Sequence, residues 1–140
     1  MIQTPETVLN AFMDFDMLNG WWGVEKALVE KREGGVYALV WDISESGFRY
    51  VATGIIKSYK ADAILEIENY TYLNLKMPIM GPMGLIIEAI VKNNQTELTV
   101  TQTGYQSGGD WDWYYDAVKQ AWPDVLASLK EYLEPRVLSG

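Results

Sequence analysis

A chain of 140 residues, 49% of them hydrophobic, has the material for one core, and residues 1–140 read as a single domain. Its net charge of −8 argues against nucleic acid or an anionic membrane as partner, since both are held by clustered lysine and arginine. With neither cysteine nor histidine, the chain has no disulfide, no thiolate or imidazole metal site, no thiol nucleophile and no Ser-His triad, and a reducing cytoplasm is the compartment that fits.

The start, Met1-Ile2-Gln3, lacks the basic and apolar run of an export signal. Thr4 is placed to cap a helix, Pro5 suits its first position and Glu6 its positive end, with Val8, Ala11, Phe12 and Phe15 as the apolar face. Asp14 and Asp16 are expected to end this helix, and Asp16 to Gly20 to form a short turn that delivers Trp21-Trp22-Gly23. Two adjacent tryptophans cannot face the same way, so one is expected in the core and the other across the surface or lining an opening.

From Ala27 the pattern changes to strands separated by turn residues: Val36 to Ile43, Phe48 to Lys60, Ala63 to Tyr72, Gly84 to Lys92 and Glu97 to Tyr105. Gly34-Gly35, Glu45-Ser46-Gly47 and Asn93-Asn94-Gln95 supply the turn chemistry. Alternation turns Tyr37, Leu39, Trp41, Tyr50, Ala52, Gly54, Ile56, Leu65, Ile67, Leu98 and Val100 to one face, and Arg49, Lys57, Glu66 and Glu68 to water. Met77 to Gly84 combines three methionines with two prolines, which suits either a lid near a mouth or a plug at one end of the sheet. The apolar run from Met77 to Ile87 is too short and too interrupted to cross a bilayer.

The last element, from Gly109-Asp110-Trp111 through Leu133-Glu134, is a long amphipathic helix. Trp111, Tyr114, Tyr115, Val118, Trp122, Val125, Leu129, Tyr132 and Leu133 form one stripe, with Asp116, Gln120, Asp124 and Glu131 opposite. Pro123 falls on the polar side, where it removes one donor and bends the helix, and Trp113 lies off the stripe.

The order of Thr4-Pro5-Glu6-Thr7-Val8, Trp21-Trp22-Gly23, Gly34-Gly35-Val36-Tyr37, Gly54-Ile55-Ile56, Thr96-Glu97-Leu98-Thr99-Val100, Trp122 and Leu126 to Glu134 resembles the activator-of-Hsp90-ATPase homologue family of the START or Bet v 1-like (SRPBCC) superfamily. The resemblance implies an α+β helix-grip fold: a curved antiparallel sheet wrapped around a long C-terminal helix, short N-terminal helices and a cavity between sheet and helix. Members of the family usually begin with a strand. Met1-Ile2-Gln3 is too short for a normal one, so the sheet is expected to have a vacant edge, which a second copy of the chain could pair as a homodimer. The family name also refers to proteins with a further N-terminal domain, for which this chain has no room, so the name is not taken as the function.

Six tryptophans and nine tyrosines supply the area and the polar tips of a ligand cavity, though core packing alone is the simpler account of any one of them. The cavity candidates are Tyr37, Trp41, Tyr50, Ile67 and Trp122, joined by the amides of Asn69 and Gln102 near strand ends. No catalytic residue is assigned, because Glu66 and Glu68 share a solvated face and Asp110, Asp112 and Asp116 suit a helix start. No phosphate loop, calcium loop or metal cluster appears, so neither cofactor nor metal is expected. The preferred reading is a non-catalytic binder of a small apolar or amphipathic molecule. A polyketide cyclase or aromatase-like enzyme and a chaperone-associated interaction module are the alternatives.

Overall fold

The computed structural model describes residues 3–44, 47–74 and 79–134. Helix α1 spans Pro5–Asn10, with the Thr4 hydroxyl accepting from the Thr7 amide at 3.3 Å. The chain then turns and α2 runs over Phe15–Trp22. Asp14 therefore starts a helix where one was expected to end: its carboxylate accepts from the Met17 amide at 3.1 Å and takes the N-cap position. This break carries Phe15 off the apolar face of α1, leaving it exposed. Gly23, in the left-handed region at φ 70°, ends α2 at little steric cost and sends the chain into the sheet.

Six antiparallel strands follow in sequence order: β1 Lys26–Val29, β2 Val36–Ser44, β3 Gly47–Lys60, β4 Ile64–Asn74, β5 Met80–Lys92 and β6 Gln95–Thr103. Among the described residues no strand precedes α1, so β1 and β6 are the sheet edges. Asn93 and Asn94, both at positive φ, form the two-residue turn between paired Lys92 and Gln95. The expected turn residues Glu45 and Ser46, and Met77 and Pro78 of the methionine segment, lie outside the described residues. From Met80 onward that segment is the start of β5. Met80 and Met83 are buried there, as in a plug and unlike a lid.

Helix α3 covers Asp110–Leu133 and completes the helix-grip architecture. Tyr114, Leu129 and Leu133 are buried, and Trp111, Val118, Trp122 and Val125 pack partly buried against the core. The expected stripe is too wide at two positions. Tyr115 turns aside to meet Tyr105 edge-on at 5.0 Å, and the Tyr132 ring lies over Gly20 of α2; both are exposed. The Ser128 hydroxyl ties α3 to α2 by donating to the Trp21 carbonyl at 2.8 Å.

The core between these layers contains Leu9, Phe12, Leu18, Leu39, Ile56, Leu65, Leu85, Ile87 and Leu129, all essentially inaccessible. The strand side chains that alternation turns inward are buried or half-buried, whereas Glu66, expected in water, is half-buried beside Lys57 at 3.8 Å.

Candidate functional site

An apolar cleft of about 540 Å³ lies between the sheet and α3. Its room comes from the helix side, where the lining residues include Ala117, Val118 and Ala121, too small to reach the opposite wall. Trp113, exposed and off the buried stripe, also lines it and marks where the cleft meets solvent.

One wall is tryptophan. Trp21 enters the core and donates its indole N–H to the Ala11 carbonyl at 2.8 Å, while Trp22 stacks on it with ring centroids 4.9 Å apart and reaches the cleft. Trp41 of β2 meets Trp22 edge-on at 5.1 Å and donates to the Trp22 carbonyl at 3.0 Å. Trp122 of α3 closes the group at 5.8 Å from Trp22.

The other wall is tyrosine. Tyr50 of β3 stacks with Tyr72 of β4 at 6.3 Å, and Tyr72 lies 5.7 Å from Tyr114 of α3. Gln102 of β6 joins the two walls: its amide N–H₂ donates to the Tyr114 hydroxyl at 3.1 Å and to Met83 Sδ at 3.3 Å, and its oxygen accepts from the Trp122 indole at 3.1 Å. Among the lining side chains Tyr70 is of most interest. It is only 6% exposed, its hydroxyl hydrogen-bonds to no described residue, and no fully buried side-chain oxygen is left unpaired. Its hydroxyl therefore keeps some access to open space, and Tyr70 is among the residues that line the cleft.

Burial holds the Tyr70 phenol well above its ordinary pKa, and the neighbouring Tyr114, Tyr37, Tyr72 and Tyr105 push it further. Burial also pushes Tyr114 up to about 12, although the Gln102 hydrogen bond works the other way. Both remain protonated at neutral pH and can donate a hydrogen bond to a ligand.

Of the residues selected from sequence, Trp41, Tyr50, Gln102 and Trp122 line the cleft. The other three do not. Tyr37 is buried in the core, where its hydroxyl donates to the Phe12 carbonyl at 2.8 Å; Ile67 is buried against Gly54. Asn69 is exposed at φ 53°, because a bulge adds one residue to β4 and gives the inward place to Tyr70. Tyr70 and Tyr72 were missed for the same reason. Trp22 and Tyr114 carried a visible signal, in the tryptophan pair and the helical stripe.

A second hollow of about 580 Å³, between the β5–β6 turn and α3, is lined by Lys92, Glu97, Lys130 and other polar groups. Its size rivals the first, but it lacks an aromatic wall. Among the described residues no cluster of acidic side chains could hold a metal, and no helix is long and apolar enough to cross a membrane.

A curved antiparallel sheet gripping a C-terminal helix, with an apolar cleft between them, defines a Bet v 1-like helix-grip protein. The chain belongs to the family of Activator of Hsp90 ATPase homolog 1-like proteins, whose model matches residues 3–134. No curated protein matches it. It is similar in structure to protein MLL2253 from Mesorhizobium loti, with a TM-score of 0.75 and 18% identity over 99% of this chain and 94% of that one. The Aha1 dimer from Colwellia psychrerythraea matches with a TM-score of 0.69 and 15% identity over 96% of this chain and 91% of that one. DynU16, described as a putative protein in the dynemicin biosynthetic locus, matches with a TM-score of 0.72 and 16% identity over 96% of this chain and 45% of its own. At such identities the likeness is one of fold.

Proposed function

We propose that the protein binds a small apolar or amphipathic molecule in the cleft between the sheet and α3. The observation that carries this reading is Tyr70, whose hydroxyl has no partner among the described residues, in the lining of an aromatic space of about 540 Å³, within the range of small-molecule sites. Trp41, Tyr50 and Trp122 supply flat apolar contact, Gln102 holds Trp122 and Tyr114 in place, and Tyr70 offers a donor to an acceptor on the ligand. A cyclase-like enzyme would need a group to take a proton inside the cleft, where the phenols with raised pKa values are poor at that task and the two lining carboxylates, Glu25 and Asp42, are exposed at the rim, which favours binding.

Titration with the neutral dye Nile red tests the proposal. Saturable binding at one site per chain is expected, and Ala117→Trp, which fills the cleft, should abolish it. Unchanged binding by a folded Ala117→Trp variant would place the dye elsewhere and sink the reading.

We propose in addition a homodimer in which the β6 edges of two copies pair. The dimeric state of the Colwellia protein supports it, and β6 is a nine-residue edge of the described sheet. Sedimentation should give twice the 15.9 kDa chain mass, and Thr99→Lys combined with Thr101→Lys, which sets like charges across such an edge without touching the β5–β6 ladder, should restore the single mass.

A further inference from the structure

The charge of the cleft is as distinctive as its shape. Among the described residues its lining contains two carboxylates, Glu25 and Asp42, and neither lysine nor arginine. Both acids stand at the tryptophan end. The register that pairs Lys26 with Val40, together with the Glu25 amide donating to the Val40 carbonyl at 2.8 Å, brings Glu25 level with Trp41, and Asp42 is the next residue of β2. Their occurrence there follows from the chain path: Gly23 ends α2, Val24 plugs the core with no exposure, and Glu25 emerges at the rim.

This rim already accommodates a positive charge. The Arg49 guanidinium lies 5.4 Å from the centre of the Tyr50 ring and 3.4 Å from the Asp42 carboxylate. Arg49 offsets Asp42, and Glu25 is left with no ion-pair partner among the described residues. An anionic ligand would thus meet one uncompensated carboxylate and electron-rich indole and phenol rings, whereas a cation would be attracted to both.

Building on the binding reading above, we infer that the cleft takes a cationic amphiphile: an amine or quaternary ammonium held at the Trp22–Trp41 end beside Glu25, carried on an apolar body that packs against Val118 and Trp122. A fatty acid or another anionic amphiphile of the same size is discriminated against.

Three naphthylmethyl compounds that differ in one substituent, a trimethylammonium, an alcohol and a carboxylate, test the inference by calorimetry on the whole chain. The ammonium should bind about three- to tenfold more tightly than the alcohol, with the carboxylate weakest, and its advantage should shrink as salt is raised. Glu25→Gln should lower the ammonium-to-alcohol affinity ratio. Arg49→Gln, which frees Asp42, should raise it, and Glu33→Gln, an exposed acid outside the cleft, should leave it unchanged. Opposite effects from the Glu25 and Arg49 variants are not produced by loss of folding. If Nile red binds but the ammonium shows no preference, or the ratio ignores Glu25→Gln, the charge inference is overturned and the cleft remains a binding site. If neither Nile red nor any of the three binds, both proposals fall together.

Discussion

Gln102 and Tyr70 face the same cleft with opposite relations to the fold. Gln102 spends its amide on Trp122, Tyr114 and Met83, so Gln102→Leu would leave an indole N–H and a phenol without their partners. A loss of about 1–3 kcal/mol is expected, the range for stranding a polar group that water reaches only in part. Tyr70→Phe removes a hydroxyl that has no partner among the described residues, and should change stability by no more than about 0.5 kcal/mol while weakening ligands that carry an acceptor. Urea denaturation of the two variants separates the roles. If Tyr70→Phe is as destabilising as Gln102→Leu, the Tyr70 hydroxyl serves the fold and is not held in reserve for a ligand.

The β4 bulge determines which of these side chains reach the cleft. Four residues of β4 from Glu68 to Thr71 face three of β3 from Thr53 to Ile55, and the shift is repeated against β5 between Ile67 and Tyr70. Gly54 sits at the centre of this irregularity, where a Cβ would overlap the Ile67 side chain and stand 3.0 Å from the Glu68 carbonyl. Gly54→Ala should therefore cost about 1–3 kcal/mol by chemical denaturation, an overpacking penalty, and a neutral result would mean that the bulge is not held rigidly. The same feature limits what sequence can disclose. Alternation correctly turns Trp41, Tyr50 and Ile56 inward, because each strand repeats every two residues and one face is apolar. It puts Asn69 where Tyr70 belongs, because an added residue is fixed by the pairing of three strands and leaves no mark in β4 alone. Asp14 opens a helix where the pattern of apolar and polar residues has it close one, for a similar reason: an acid after an apolar run can do either, and only the Met17 amide decides. The long helix was legible because its stripe spans 24 residues, although the two tyrosines at its margins meet Tyr105 and Gly20, which no periodicity reveals.

At the scale of the whole molecule, the absence of histidine and the number of buried phenols set how stability depends on pH. No side chain of ordinary pKa titrates between the carboxylates and the tyrosines, so the urea midpoint should be flat from about pH 6 to about pH 9. Above that range the tyrosines decide. Burial raises the pKa of Tyr37, Tyr70, Tyr72, Tyr105 and Tyr114 in the folded protein, Tyr114 to about 12, whereas the unfolded chain ionises near the ordinary value of 10. Below the unfolded value neither state has lost these protons and their stabilising contribution is complete. As pH climbs from 10 toward 12 the unfolded state releases protons that folded Tyr114 retains, so the balance tips toward unfolding; once the folded phenols ionise as well, no more is lost. The native protein should therefore show phenolate absorbance in two stages: exposed tyrosines first, then a cooperative rise that coincides with loss of far-ultraviolet dichroism. Tyr114→Phe should make the alkaline fall in the urea midpoint shallower. A single smooth titration near pH 10 with the dichroism intact would mean that these phenols reach water freely in the folded state, and the closed tyrosine wall of the cleft would have to be abandoned.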